Sequence, residues 1–292
     1  MDNNIGVNPF EEEKPRSPLI TLAILGVGLA GCCIVFIGAF ILFKPDQLSL
    51  VDRYFPSPTA THTPTPTPTP TLTPTPTPNL TATQQAIRST ATAQVIQALA
   101  TDSITQWPVV LSDPFDLNKN NWMLGINDGE YALVMREIKD GKYNWDVTAK
   151  KGFIAWVSAD TESVSDFHLS AEVKRTGGSD QSDYGLVFRE DADGNIYYFG
   201  IDNAGYFVTL SYDNQWSEMI GYTKSSAILP DAANRLTVIA KGSYFIFFIN
   251  DQFAGEMTDD HIKKGTTAIA VELFEADSQA TFEFDNFELR AP

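Results

Sequence analysis

Three acidic residues near the C-terminus have a spacing that could do chemistry. Glu283, Asp285 and Glu288 form the pattern E-x-D-x-x-E. Retaining hydrolysis of a glycoside needs two carboxyl groups about 5 to 5.5 Å apart, a distance that residues two apart on one strand face can supply. Regular pleating would put Glu288 on the opposite face unless a bulge intervenes. We therefore favour a structural role, in which the aromatic residues of this segment pack inward, namely Phe282, Phe284 and Phe287.

A second acidic segment, EDADGN at residues 190–195, matches part of a calcium-binding loop. A complete D-x-D-x-D-G loop needs a ligand at position 189, which is Arg189, so we favour a hairpin turn. A structural Ca²⁺ is left as an alternative at Asp113 and Asp285, which would approach each other if the first and last strands of the domain pair. No other cofactor is predicted.

The histidines and cysteines exclude several other kinds of site. The two cysteines, Cys32 and Cys33, are adjacent, so everything after them folds without disulfides or thiolate metal sites. The three histidines are His62, His168 and His261, and no zinc site of familiar spacing can be built from them. The sequence has no Gly-x-Ser-x-Gly elbow and no phosphate-binding loop. We therefore predict no catalytic residue.

The charge of the chain argues against nucleic acid as a partner. Lys and Arg number 20 and Asp and Glu number 37, which gives a net charge of −17. Neutralising phosphates needs basic residues. Residues 107–292 hold 30 acidic and 15 basic residues, so −15 of the charge lies on this C-terminal part.

The segment at residues 19–43 is uncharged over 25 positions. At roughly 1.5 Å per residue it would form about 37 Å of helix, which is longer than the roughly 30 Å hydrocarbon core of a bilayer. We predict a transmembrane helix that contacts the lipid bilayer. An alternative is a lipoprotein anchored at Cys32, because residues 29–32 spell LAGC and resemble a lipobox, although the apolar run continues beyond them.

The positive-inside rule does not decide the orientation of this helix. Two basic residues lie on each side, Lys14 and Arg16 before it and Lys44 and Arg53 after it. The Thr-Pro segment and the acidic domain that come next in the chain suit the outside of the cell. We therefore predict a single-pass protein of the cell membrane, with residues 1–18 as a cytoplasmic tail and the C-terminal domain outside the cytoplasm.

Residues 44–80 are rich in threonine and proline and contain the pattern THTPTPTPTPTLTPTPTP. Proline fixes φ and lacks a backbone donor, so this stalk is expected to extend as a polyproline II rod. Residues 81–106 are rich in alanine, glutamine and threonine and predict a short helical linker. Its narrow apolar stripe suits either pairing with a second copy or a solvated stalk helix, and the threonine content favours the latter. The oligomeric state is left open.

Residues 107–292 have the pattern of one all-β domain. Twelve short apolar or alternating runs are separated by turn-forming residues. This pattern predicts a two-sheet antiparallel sandwich. The alternation in IYYFGID, at residues 196–202, puts Tyr197, Phe199 and Ile201 in the core. The run YFIFFIN, at residues 244–250, is apolar on both faces, so we expect it to lie centrally and to be covered on each side.

The order of these runs resembles a known family. The segments that carry the resemblance are DPF at residues 113–115, Trp122, YGLVFRE at 184–190, IYYFGID at 196–202, FFINDQFAGE at 247–256 and FDNFEL at 284–289. Together they resemble bacterial concanavalin A-like jelly rolls, similar to laminin-G-type domains and to the 3-keto-disaccharide hydrolase-like family. The resemblance covers essentially residues 107–292 and implies a jelly-roll sandwich, a fold that serves lectins, adhesion modules and glycosidases alike. The E-x-D-x-x-E pattern also resembles the catalytic strand of family 16 glycoside hydrolases, but that strand lies in mid-domain and this one comes last.

Strand alternation also predicts a binding surface. Arg189, Tyr198 and Asp202 are expected to face outward from one sheet, with Trp156 or Trp216 as a stacking platform. Sugars suit such a surface, since aromatic faces accept their C–H groups while charged groups bind their hydroxyls. The sequence thus predicts a membrane-anchored, non-catalytic module that binds carbohydrate or a cell-envelope polymer. The alternatives are a glycoside hydrolase on the same fold and a protein-binding adhesion or sensor ectodomain.

Overall fold

A computed structural model of the chain describes residues 5–7 and 80–292, with side chains from residue 91 onward. The predicted transmembrane helix, the alternative anchor at Cys32 and the predicted stalk up to residue 79 lie outside the described residues. Of the predicted cytoplasmic tail, residues 5–7 are described, and they pair with residues 153–155 of the C-terminal domain, which does not fit a tail on the other side of a membrane from that domain. Within the described ranges, no helix combines the length and the apolarity needed to cross a bilayer. Contacts divide the chain into two compact units, and the unit that contains Gln84–Pro292 holds both β-sheets.

Sheet A has seven strands, and every neighbouring pair within it is antiparallel. In spatial order they are β1 (Ile5–Val7), β6 (Phe153–Ser158), β15 (Thr266–Leu273), β8 (Ser182–Glu190), β9 (Ile196–Ile201), β10 (Tyr206–Tyr212) and β11 (Trp216–Lys224). The centre of the sheet is therefore built from β15, β8 and β9, in which the hairpin of β8 and β9 pairs with a strand from a distant part of the sequence.

Sheet B has nine strands, again with antiparallel neighbours. Their order is β14 (Gln252–Thr258), β13 (Tyr244–Ile249), β12 (Asn234–Lys241), β7 (Phe167–Gly178), β16 (Gln279–Arg290), β5 (Lys142–Ala149), β4 (Ala132–Lys139) and β3 (Gly125–Asp128), while β2 (Val109–Asp113) pairs with the end of β16. The two antiparallel sheets confirm the predicted all-β jelly-roll sandwich.

The main hydrophobic core lies between the two sheets, where alternate residues of each strand point inward. Tyr197, Phe199 and Ile201 of β9 are buried in this core, as their alternation predicts. The β13 strand is apolar on both sides because Phe245 and Phe247 face the core while Ile246 belongs to a separate cluster on the outer side. The prediction that this strand is covered on each side is confirmed. The expectation that it lies centrally is wrong, since only β14 separates it from the edge of sheet B.

The outer cover of β13 is a helix, α1 (Leu80–Thr105). Ile96 and Leu99 of α1 pack on Ile239 and Ile246 of sheet B. Arg290 at the end of β16 holds the C-terminal end of the helix, because its Nη1 donates to the carbonyl oxygen of Ile104 at 2.9 Å. The sequence leaves a paired helix and a solvated stalk helix open. The structure instead shows the second half of α1 packed on its own domain.

Candidate functional site

Aromatic residues gather on the outer face of sheet A, on the side away from the core. The cluster comprises Ile154, Trp156, Val187, Ile196, Tyr198, Val208, Leu210, Ala268 and Ala270, with Tyr212, Trp216 and Tyr222 packed against it. All of these residues come from strands of sheet A. We call this set the outer cluster. The structure thus brings together three of the residues predicted to bind a ligand, Trp156, Tyr198 and Trp216.

Two carboxylates lie side by side at the outer cluster. Asp183 of β8 stands directly opposite Glu272 of β15 in the register of the two strands. Asp183 lies four residues before Val187 on β8, and Glu272 lies two residues after Ala270 on β15. Residues an even number of positions apart share a face, so both acids point to the outer face. Opposite residues on neighbouring antiparallel strands have Cβ atoms about 4.5 to 5.5 Å apart. The two acids are 0 % and 1 % exposed. We call them the acid pair.

Two tyrosines contact or neighbour the acid pair. The hydroxyl of Tyr222 donates to Oδ2 of Asp183 at 2.5 Å. Burial, and after it the negative charges of Asp183 and Glu272, raise the pKa of Tyr198 well above its usual value. The same causes raise the pKa of Tyr222 strongly. Both phenols are therefore protonated at neutral pH, so each can donate a hydrogen bond beside the two acids.

Two donors of the outer cluster are left for a further acceptor. Among the described residues, neither the Tyr198 hydroxyl nor the Trp156 indole nitrogen has a hydrogen-bond partner. Buried polar groups are rarely left in this state, and each instance calls for an explanation. The ring of Tyr198 occupies the space that a side chain at position 200 would take, since a Cβ built on Gly200 would lie 2.2 Å from the Tyr198 hydroxyl. Gly200 therefore allows this ring to lie along the strand.

Arg189 does not face outward, so that expectation is wrong. The pairing of β8 with β15 shifts register beside Arg189, and this residue has a φ of 53°. Such a bulge re-aims the side chain. The guanidinium is 1 % exposed and donates to the carbonyl oxygens of Ile262, Ser165 and Gly242 at 2.8, 2.8 and 2.5 Å. It also lies 4.5 Å from the ring centre of Phe245. Arg189 thus joins three loops.

Asp202 is separate from the outer cluster as well. Its Oδ1 accepts a hydrogen bond from the backbone nitrogen of Tyr206 at 2.8 Å, and its own backbone nitrogen donates to the Tyr206 carbonyl oxygen. These bonds close the turn between β9 and β10. A role in ligand binding stays a prediction for all five residues proposed from the sequence.

The acid pair and Tyr222 are not among the residues that the sequence predicts for a site. A local signal exists for one of them, because Glu272 is the only charged residue in TTAIAVEL, a strand that is otherwise apolar or threonine. An acid within such a run is expensive to bury, so it indicates a functional position. Asp183 carries no comparable signal, because it lies at the polar start of its strand.

The two acids proposed for calcium make other contacts. The strands β2 and β16 do pair, as the prediction required. Oδ1 of Asp113 accepts from the backbone nitrogen of Phe115, and Oδ2 accepts from Asn120 Nδ2 and Trp122 Nε1 at 2.7 and 2.8 Å. Asp285 forms an ion pair with Lys142. In the described part of the chain, no group of three or more acidic, histidine or cysteine side chains is placed to hold a metal ion. Calcium here stays an untested prediction.

Asp113→Asn should separate a structural role from a calcium site. An amide cannot accept all three hydrogen bonds, so we expect the free energy of unfolding to fall by about 2 to 4 kcal/mol, measured by urea denaturation. Asp116→Asn, at an exposed position three residues later, is the matched control and should change it by less than about 0.5 kcal/mol. EDTA should have no effect. A comparable loss of wild-type stability in EDTA would instead indicate a bound ion.

The other acidic patterns form hydrogen bonds or ion pairs within the domain. Asp191 closes the hairpin between β8 and β9, because its Oδ1 accepts from the backbone nitrogens of Asp193 and Asn195, each at 2.9 Å. This confirms the predicted turn. In β16 a bulge does lie between Asp285 and Glu288, so these two acids share one face of the strand. Glu288 accepts a hydrogen bond from Arg290 Nε at 2.7 Å. The aromatic residues of that strand are buried, as predicted, namely Phe282, Phe284 and Phe287.

Comparison with solved structures supports the fold. Neither the protein-family models nor the curated proteins contain a match to the sequence. A GlcNAcα1-4Gal-releasing endo-β-galactosidase from Clostridium perfringens is 9% identical, with a TM-score of 0.50 over 64% of this chain and 63% of that one. A carbohydrate-binding module, CBM66 from Bacillus subtilis, is 18% identical, with a TM-score of 0.43 over 64% and 96%. The catalytic domain of a laminarinase from Thermotoga petrophila is 8% identical, with a TM-score of 0.46 over 63% and 98%.

At 9% identity the likeness to the endo-β-galactosidase concerns the jelly-roll fold alone. The finer resemblance to the 3-keto-disaccharide hydrolase-like family stays a prediction.

Proposed function

We propose that the C-terminal domain binds carbohydrate on the outer face of sheet A. The observation that carries the proposal is the acid pair, Asp183 and Glu272, set beside the aromatic side chains of the outer cluster. Carboxylates accept hydrogen bonds from sugar hydroxyls, and aromatic rings pack against the C–H faces of a sugar. The Tyr198 hydroxyl and the Trp156 indole N–H would donate to sugar oxygens.

The proposal includes a condition on access. Trp156 is 7 % exposed and Tyr198 is 0 % exposed in the structure. A sugar can contact these residues only if the face becomes exposed. The predicted place outside the cytoplasm, on a membrane anchor and a stalk, would bring such a face to extracellular or envelope polysaccharides, and it is part of the proposal.

The acid pair also favours a second candidate, hydrolysis of a glycoside. Residues directly opposite on neighbouring strands have Cβ atoms about 4.5 to 5.5 Å apart, so their carboxyl groups can reach the separation of about 5 to 5.5 Å that retention requires. Asp183, which accepts a hydrogen bond from Tyr222, would serve as the carboxylate nucleophile and Glu272 as the general acid. The E-x-D-x-x-E pattern of β16 is a weaker basis for hydrolysis, since two of its acids are engaged with Lys142 and Arg290.

A polysaccharide binding screen tests the proposal. The full chain should be retained by at least one polysaccharide, and Trp156→Ala should weaken that affinity by about tenfold or more, because a stacking platform is lost. Phe253→Ala removes an exposed aromatic side chain from sheet B and should leave the affinity unchanged. Reducing-sugar release, measured in parallel, distinguishes binding from hydrolysis. The absence of retention, or equal effects of the two variants, would contradict binding on sheet A.

A further inference from the structure

A cavity of about 410 Å³ lies between α1 and the outer face of sheet B. It is far from the outer cluster in the fold, because it is lined by α1, β7, β12, β13 and the turn after β13. Its volume is in the range of pockets that hold small molecules. The residues that decide its chemistry are Thr101, His168, Arg235, Phe248 and Asp251. We call it the α1 cavity.

Arg235 gives the α1 cavity a positive charge. Among the described residues that line the cavity, it is the only Lys or Arg. One of its nitrogens, Nη2, donates to Ser170 Oγ at 3.1 Å. In the part of the chain that the structure describes, Arg235 forms no ion pair. A guanidinium has five N–H donors in a planar fork that matches a carboxylate, so donors are left for an anionic ligand.

His168 gives the cavity a hydrogen-bond acceptor. The Ser103 hydroxyl donates to the carbonyl oxygen of Ala100 at 2.9 Å, so its oxygen must accept from His168 Nδ1, which lies 2.9 Å away. Burial lowers the pKa of His168 to about 4, and the ring is therefore neutral at pH 7. With the proton on Nδ1, Nε2 is left as an acceptor at the cavity wall.

The remaining lining suits a hydroxylated ligand. Asp251 is an exposed carboxylate, which accepts hydrogen bonds from hydroxyls. Phe248 and Ile104 provide apolar contacts for the C–H groups of a small ring. The cavity thus combines a cation for a carboxylate, two acceptors for hydroxyls and an apolar wall.

We propose that the α1 cavity binds a sugar acid of the hexuronate class, with its carboxylate on Arg235 and hydroxyls donating to His168 and Asp251. This site is independent of the carbohydrate site on sheet A. It makes α1 part of a binding site.

Titration calorimetry of the full chain with D-glucuronate tests this proposal. We expect saturable binding, and weaker binding by about tenfold or more for glucose, which lacks the carboxylate, and for acetate, which lacks the hydroxyls. Arg235→Gln should weaken glucuronate binding by a similar factor. Equal affinity for glucose and glucuronate, or no binding of glucuronate, would overturn the proposal.

A second pair of variants keeps the test independent of Arg235. Thr101→Trp adds a bulky side chain on the cavity side of α1, and Ala98→Trp adds the same side chain at an exposed position that does not line the cavity. We expect Thr101→Trp to abolish glucuronate binding and Ala98→Trp to leave it unchanged. Thermal unfolding of each variant verifies its fold. Binding that survives Thr101→Trp would place the ligand elsewhere and overturn the proposal.

Discussion

Replacement of Arg189 by alanine should lower the free energy of unfolding by about 3 to 5 kcal/mol. The guanidinium supplies donors to three carbonyl oxygens, those of Ile262, Ser165 and Gly242. Alanine would leave these acceptors buried without their charged donor and would also remove the contact with the Phe245 ring. In a domain of this size each kcal/mol shifts the melting temperature by about 2 to 4 °C, so we expect a fall of roughly 10 °C.

A control in the same loop isolates the effect of burial. Lys263 follows Ile262 directly and is exposed, so Lys263→Ala removes a positive charge without removing a buried hydrogen bond. It should change the free energy of unfolding by less than about 0.5 kcal/mol in the same urea titration. Arg189→Lys should also be destabilised, because an ammonium cannot reproduce the planar fork. If Arg189→Ala behaved like Lys263→Ala, the inferred role of Arg189 in joining the loops would be wrong.

Much of this fold could be predicted from local patterns. Each of the twelve apolar or alternating runs forms a strand, because alternation with a period of two is the direct consequence of a sheet with one buried face. Strands β2, β3 and β5 of the domain are not among these runs. In β5 the outward positions are polar, since Asn144 follows Tyr143 and Asp146 follows Trp145. This strand follows β4 through a two-residue turn. The short β2 and β3 offer too few residues to show a period.

The candidate site could be predicted only in part. Trp156 and Tyr198 can be placed on one sheet because their strands alternate regularly. The same reasoning wrongly predicts that Arg189 faces outward, because alternation assumes an unbroken strand. The bulge at Arg189 has a φ above zero at a residue other than glycine, and such a bulge has no local sequence signature. The acid pair could not be predicted from alternation, because Asp183 and Glu272 meet only through the pairing of β8 with β15, which lie far apart in the sequence. Local patterns carry no information on such a contact.

Neutralising the acid pair should have the largest effect on function. Asp183→Asn and Glu272→Gln keep the size of each side chain and remove its charge. Hydrogen bonds from the sugar to a charged acceptor are then replaced by neutral ones, so the affinity for carbohydrate should fall by roughly tenfold to a hundredfold. Thermal unfolding of each variant verifies its fold. Affinity is measured on the polysaccharide that the wild-type chain retains.

The same two variants distinguish the two candidate functions. If the acid pair hydrolyses a glycoside, reducing-sugar release should fall by about a thousandfold or more in each variant, a loss much larger than the loss of affinity. The reason is that an amide can neither transfer the proton nor attack the anomeric carbon as a carboxyl group does. Glu283→Gln, on the outer side of sheet B, is the matched control and should leave both binding and release unchanged, since that strand has a structural role. Should Glu283→Gln abolish release while the acid-pair variants retain it, the active site would lie on β16 and the assignment to sheet A would be wrong.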